Sequence, residues 1–173
     1  MQGLDMHILQ ANVEHLGAVA RLFDGYRQFY EQPSDLIGAT HFLRHNLENN
    51  ESVIFLAEKD NQPLGFVQLY PTWESVTMSK RWVLYDLFVA EPGRGLGIGR
   101  ALMQRAKQLA QETGAKYIAL ETAKNNTTAQ ALYESEGYKR DDVFLTYILE
   151  IWTSLVQIAQ IHVEVEAGLA KLK

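Results

Sequence analysis

Residues 82–107, WVLYDLFVAEPGRGLGIGRALMQRAK, decide how the rest of the chain is read. The run Trp82 to Ala90 is too short, and too rich in aromatic and β-branched residues, for a helix. Its odd and even positions are both apolar, so it reads as a strand covered on both faces. Pro92, Gly93, Gly95, Gly97 and Gly99 follow and make a loop whose backbone turns sharply and stands open to a ligand. Ile98, Ala101, Leu102, Ala106, Leu109 and Ala110 then recur at helical spacing, so a helix begins inside the glycine run. The first turn of such a helix leaves N–H groups unpaired and carries partial positive charge. Arg94, Arg100, Arg105 and Lys107 stand close by against Glu91 alone, in a chain of formal net charge -5. The pattern predicts an anion trap, and a ligand that carries phosphates.

Spacing narrows the ligand. A Walker loop ends in Gly-Lys-Ser/Thr, but Gly99 is followed by Arg100 and Ala101. The dinucleotide fingerprint G-x-G-x-x-G fails from Gly93, Gly95 or Gly97, because its last glycine falls in the wrong place. What fits is Arg94-x-x-Gly97-x-Gly99 directly after a strand. This resembles the acetyl-CoA pyrophosphate loop of the GNAT superfamily of N-acetyltransferases, Gln/Arg-x-x-Gly-x-Gly/Ala. The competing reading is a glycine-rich turn with no ligand. Against it stands a second stretch, Asn126-x-x-Ala129-x-x-Leu132-Tyr133-x-x-x-Gly137-Tyr138, which resembles the superfamily's other signature at matching spacing.

The resemblance covers roughly residues 6 to 150 and implies an α/β fold. Its expected form is a mixed, mostly antiparallel central sheet with splayed strands, flanked by helices in the order β-α-α-β-β-β-α-β-α-β. Residues 1–150 would form the acetyltransferase domain and 151–173 a C-terminal extension. The implied reaction is direct attack of a neutral amine on the thioester of acetyl-CoA, which needs no enzyme nucleophile. The enzyme must hold both reactants, stabilise the oxyanion, take a proton from the amine and give one to the thiolate. By the resemblance, backbone groups of Leu87, Phe88 and Val89 pair with the pantetheine arm. The amides of Arg94, Gly95, Leu96, Gly97, Ile98, Gly99 and Arg100 hold the pyrophosphate. Asn126 bonds the coenzyme arm or substrate, or caps a helix, with Asn125 competing for that cap. Tyr133 matches the general acid that protonates the coenzyme A sulfur; the alternative is a core tyrosine.

Asp86 is the one charged residue between Trp82 and Ala90. A carboxylate in a strand covered on both faces is costly unless paired, so it faces a polar cleft or a partner. Asp86-Leu87-Phe88-Val89 also resembles the polyamine-acetylating branch, which uses acidic residues to hold the amine. That branch has a glutamate where this chain has Tyr85. Asp86 is therefore a candidate to bind the substrate ammonium or relay its proton, with a structural aspartate as the alternative. Tyr85, and the ring cluster that includes Tyr26, Phe29 and Tyr30, are candidate substrate walls, the rings otherwise being core.

The remaining sequence bounds the answer. One domain with a sizeable core suits 173 residues that are 47% hydrophobic. The absence of cysteine excludes disulfides and a thiolate nucleophile, and agrees with a cytoplasmic location. No signal peptide or membrane-length run is visible, and no basic stripe outside the loop argues for nucleic acid. His41 and His45 have metal-pair spacing but no third ligand, so no metal is expected. Glu134, Glu136, Asp141 and Asp142 read as a solvated acidic face, or as a patch that favours cationic substrates.

Asn12 is a plausible cap for a first helix, and Ser34 or Asp35 for a second reaching about Leu47. Ser52–Lys59 and Leu64–Tyr70 read as a hairpin, and 71–78 as a bulge or loop before the central strand. Tyr117–Thr122 reads as a strand, 126–136 as a helix, and Tyr138 onward as a last strand with Val143–Leu149 its most apolar part. In 151–173 a 3-4 stripe, apolar except for His162, suggests a helix that packs on its own domain or on a second subunit in a homodimer, while Ile161, Val163 and Val165 also alternate like a strand. The function expected is N-acetylation of a small amine or polyamine first, a protein lysine or N-terminus second. The competing class is a non-catalytic acyl-CoA-binding sensor module.

Overall fold

The computed structural model describes residues 6–151. The elements in order are β1 (Met6–Gln10), α1 (Leu16–Phe29), α2 (Leu36–Glu48), β2 (Val53–Lys59), β3 (Gln62–Glu74), β4 (Ser79–Val89), α3 (Ile98–Glu112), β5 (Ile118–Leu120) and α4 (Thr127–Ser135). Short 3₁₀ turns precede α1 and α3, at Val13–His15 and Glu91–Gly93. All of these lie in the unit Met1–Lys139; Arg140–Lys173 forms a second unit.

Five strands lie side by side in sequence order. The first four pair antiparallel, and β5 joins β4 in parallel. This is the expected mixed, mostly antiparallel sheet flanked by helices. Both faces are covered, as the continuous apolar runs require. In β2, Phe55 and Ala57 point to the face packed by Ile98, Leu102, Ala106 and Leu109 of α3. Their neighbours Ile54 and Leu56 point to the other face, against Leu16, Val19, Ala20 and Phe23 of α1 and Leu43 of α2.

The two helices on that second face are tied by Asp24. Its carboxylate accepts from Ser34 Oγ at 2.7 Å, the Asp35 N–H at 2.8 Å and Gln28 Nε2 at 3.0 Å, with Arg27 Nη1 at 3.4 Å. These bonds, the backbone one first, hold Asp24 below the ordinary carboxylate pKa. Asp35 and not Ser34 caps α2, accepting from the Gly38 N–H at 2.8 Å. Asn12 caps the 3₁₀ turn that leads into α1.

Two expectations are corrected. Residues 71–74 are strand, not bulge or loop, and only 75–78 form the expected loop, a turn: β3 runs on to Glu74 and β4 starts at Ser79, with Pro71 opposite Trp82 and Trp73 opposite Lys80. Proline is tolerated at 71 because β2 ends its pairing at Leu69, so no strand on that side requires the missing N–H. The last strand is not formed either; the described residues from Tyr138 on have no regular secondary structure. Asp141 Oδ1 accepts from the N–H groups of Val143 at 2.8 Å and Phe144 at 3.2 Å, a local turn where an extended chain was expected. The side chains of Val143, Phe144, Leu145, Tyr147, Ile148 and Leu149 are exposed. The helical stripe and subunit contact expected further on lie, from residue 152, outside the described residues.

Candidate active site

A single slip in register builds the site. Gln68 pairs with Asp86 but Leu69 pairs with Leu84, so Tyr85 is an extra residue, a β-bulge in β4. One inserted residue reverses the side-chain alternation beyond it. Before the bulge Trp82 and Leu84 face α3; after it Leu87 and Val89 take that face. Phe88, and with it Asp86, turns to the α1–α2 side. Without the bulge, Asp86 would point into the apolar packing beneath α3.

On the α1–α2 side the carboxylate has partners. Asp86 is 9% exposed and Gln68 0%. Gln68 Nε2 donates to Asp86 Oδ2 and to the Tyr70 hydroxyl, both at 2.8 Å, while its Oε1 accepts from Ser52 Oγ at 3.1 Å. Asn46 Nδ2 donates to the same Tyr70 oxygen at 2.9 Å. Burial raises the Asp86 pKa above the carboxylate norm, and hydrogen bonds from Gln68 and Tyr26 offset part of that. Burial first, and the Asp86 charge second, push Tyr70 up to about 12 and raise Tyr26 further still. A buried carboxyl held this way can take and return a proton.

On the opposite edge of β4 the sheet opens. Strand β5 pairs with β4 only from Trp82 to Leu84, and among the described residues no strand continues along Tyr85–Val89. A groove of about 680 Å³ occupies the gap. It is lined by Leu87, Phe88 and Val89 of β4, by Arg94, Gly95, Gly97, Ile98, Gly99 and Arg100, and by Asn126 and Tyr133. Tyr26, Tyr30 and Tyr85 line it too. Of the residues expected here, Leu96 is not in the lining and is exposed. Asp86 borders not this groove but a second cavity of about 360 Å³, with Tyr85 common to both. Tyr26 spans the wall between them: it lines the groove, feels the Asp86 charge, and donates to the Tyr85 carbonyl at 3.3 Å.

The loop residues suit an anion. Gly97 precedes the first residue of α3 with φ of 79°, a left-handed conformation that glycine alone adopts without cost. A Cβ there would meet nothing within 4 Å, so the backbone lies open to a phosphate. The cations are placed by neighbours. Arg94 Nε donates to the Val89 carbonyl at 3.3 Å. Arg100 binds Glu136 Oε1 at 2.6 Å and Ser135 Oγ at 3.2 Å, tying the start of α3 to the end of α4. Helix α4 also approaches Gly99 closely, for a Cβ there would sit 3.3 Å from Leu132 Cδ2. That close packing presents Tyr133 to the groove. Burial, then the nearby Tyr30, raise the Tyr133 pKa, with a hydrogen bond to Thr122 in partial offset, so the phenol keeps its proton at neutral pH. Asn126 caps α4, accepting from the Ala129 N–H at 3.2 Å, which settles its competition with Asn125.

Sequence reasoning missed Gln68, Tyr70, Ser52 and Asn46 around Asp86, and the role of Glu136 as the seat of Arg100. For Gln68 the signal was present. It is the one polar side chain in the run Phe66-Val67-Gln68-Leu69, the same anomaly that marks Asp86. His45, half of the spaced pair, contacts Asn49 and Glu51. Among the described residues no group of three or more His, Cys, Asp or Glu is gathered for a metal ion, and no helix is long and apolar enough to cross a membrane.

A mixed sheet that splays beside a glycine loop and a helix N-terminus defines a coenzyme-binding acyltransferase architecture, and comparison with known proteins agrees. Residues 19–138 match the family model described as Acetyltransferase (GNAT) family. An uncharacterized N-acetyltransferase of Bacillus subtilis (strain 168), YhfO, is 46% identical over 146 residues, 84% of this chain and 98% of the relative. A probable acetyltransferase of Haemophilus influenzae is 32% identical over 135 residues, 78% of this chain and 90% of the relative. The crystal structure of a probable acetyltransferase superposes with a TM-score of 0.81 at 41% identity, covering 86% of this chain and 99% of that one. The chain belongs to the GNAT family of acetyltransferases. It is an acetyl-CoA-dependent N-acetyltransferase.

Proposed function

We propose that this enzyme acetylates the primary amine of a small molecule, with Asp86 receiving the amine's proton and Tyr133 protonating the departing thiolate. The observation that carries the reading is the bulge. It turns the Asp86 carboxylate from the α3 side to the α1–α2 side, where Tyr26 and Tyr85 stand between it and the groove that carries Tyr133, and this supports the assignment. The free edge of Leu87–Val89 then suits the amide-bearing pantetheine arm, and the open amides between Arg94 and Arg100 suit the pyrophosphate.

The steps balance. The amine nitrogen attacks the thioester carbonyl carbon, and the C–S bond breaks as the amide forms. The nitrogen proton passes to Asp86, directly or through water, and the Tyr133 proton passes to sulfur. Solvent then restores both groups. Each positioned acid or base contributes on the order of 10² to 10⁴ in rate. A polyamine acceptor and a cytoplasmic location belong to the same reading, supported by the Asp86 segment and by the absence of cysteine. A protein lysine or N-terminus is the second choice of acceptor.

Release of coenzyme A thiol from acetyl-CoA, with a panel of small amines, tests the proposal; a protein without cysteine adds no thiol background. Turnover that depends on a particular amine is the expected result. Saturable acetyl-CoA binding with no turnover on any small amine would contradict it and favour a macromolecular acceptor or an acyl-CoA-binding module.

A further inference from the structure

The groove leaves the second cavity unexplained. Its walls are Phe23 of α1, Phe42 of α2, Tyr70 of β3 and Tyr85 of β4, with the Asp86 carboxylate among them. Phe23 and Phe42 stack with centroids 5.5 Å apart and 15° between planes. Tyr70 and Tyr85 meet edge to face at 5.4 Å. Phe42 and Tyr85 are exposed, so the cavity opens to solvent. Its volume of about 360 Å³ is at the small end of ligand pockets.

Four rings around one carboxylate specify a ligand chemistry. Aromatic faces attract an ammonium through their quadrupoles. Among the described residues Asp86 is the one charged side chain in the lining, and it balances one ammonium. Gln68 holds Oδ2 in place from the buried side, so the carboxylate is oriented before any ligand arrives. The rings themselves favour an apolar body. A second ammonium would find no second carboxylate among the described lining residues, and a row of hydroxyls would exchange water for aromatic carbon and lose hydrogen bonds.

We infer that this aromatic box is the acceptor pocket, and that it takes a single primary ammonium on a compact apolar or aromatic body in preference to polyamines and polyhydroxylated amines. The fate of the bound amine rests on the transferase reading above; its binding does not. Tyr85 lines both cavities, so an ammonium beside Asp86 lies at the wall of the groove. The polyamine expectation from sequence is thereby narrowed: the Asp86 segment is shared with that branch, but among the described residues the pocket around it holds no second carboxylate.

Calorimetric titration of the full-length protein, saturated with coenzyme A, decides the matter with three probes: phenethylamine, spermidine and phenethyl alcohol. Phenethylamine should bind about tenfold more tightly than either of the others. Phe42→Leu keeps apolar bulk on an exposed position but removes a ring, and should weaken phenethylamine by several-fold with coenzyme A affinity and Tm unchanged. Equal or tighter binding of spermidine or of the alcohol, or an unaffected Phe42→Leu, overturns the inference. Thiol release measured in parallel separates the two claims. Tight phenethylamine binding without acetylation leaves the ammonium-binding pocket standing and contradicts the small-amine acceptor proposed above. Preferential acetylation and binding of spermidine does the reverse.

Discussion

Asp86 and Gln68 are each out of place in an apolar strand, and each is the reason the other is tolerated. A buried unpaired carboxylate or amide costs several kcal/mol, whereas the 2.8 Å bond between them and the links to Tyr70 and Ser52 leave few groups unsatisfied. Because burial raises the Asp86 pKa, the wild-type enzyme should gain kcat/KM with rising pH over a limb that starts above the ordinary carboxylate value of 3.8. Asp86→Asn should abolish that limb and lower the plateau; an unchanged pH profile would remove Asp86 from the chemistry. Linkage gives a second readout. A raised folded pKa contributes stability below the unfolded pKa and loses it as pH rises through the folded value. Asp86→Asn should therefore gain thermal stability relative to wild type as pH rises from 3.8 through the raised folded value, and keep that gain above it. Asp86 was legible from sequence because one charge stands in an apolar run. Its partners were not, because which polar residue lies opposite depends on register, and no local pattern encodes a one-residue bulge.

Glycine loop and helix α3 were readable because the hydrophobic period changes from strand to helix within the quoted stretch, and the structure places that change at Gly97 and Ile98. Gly97→Ala should cost about 1 kcal/mol of stability from its left-handed backbone, and should weaken coenzyme A by more than that through the altered loop. Thermal unfolding together with coenzyme A titration checks both effects; native affinity would show that the loop amides do not hold the ligand. The α1–α2 turn depends on Asp24. Asp24→Ala strands several donors and should lower stability by about 2 to 3 kcal/mol. The depressed Asp24 pKa has a stated sign: its contribution is complete above 3.8 and is lost as pH falls through the lower folded value, so the variant and wild type should converge in acid. Urea titrations at pH 7 and pH 3 measure the convergence. Pro71 misled the strand reading because a proline normally breaks a ladder, and its harmlessness here follows from where β2 stops. Val143–Leu149 misled it because an apolar pattern reports a preference for burial and says nothing about a partner strand.

At the scale of the whole molecule, the sheet serves two sites through one strand. The outer edge of β4, the loop and α4 form the groove proposed for the coenzyme; the inner face of the same strand, with α1 and α2, forms the aromatic box. The order of elements was legible because two motifs on either side of α3 and β5 fix the superfamily arrangement between them. The box was not, since Phe23, Phe42, Tyr70 and Tyr85 come from four elements and look like ordinary core rings one by one. The central claim of the proposed reaction is that the Tyr133 phenol of α4 protonates the thiolate from the groove, and that Asp86, re-aimed by the bulge, takes the amine's proton from the other side of Tyr85. Steady-state thiol release by wild type and Tyr133→Phe, with coenzyme A affinity measured on the same samples, tests it most directly. The account predicts that kcat falls on the order of 10² or more while coenzyme A binds as before. An unchanged kcat, or a loss explained entirely by weaker coenzyme A binding, would contradict it.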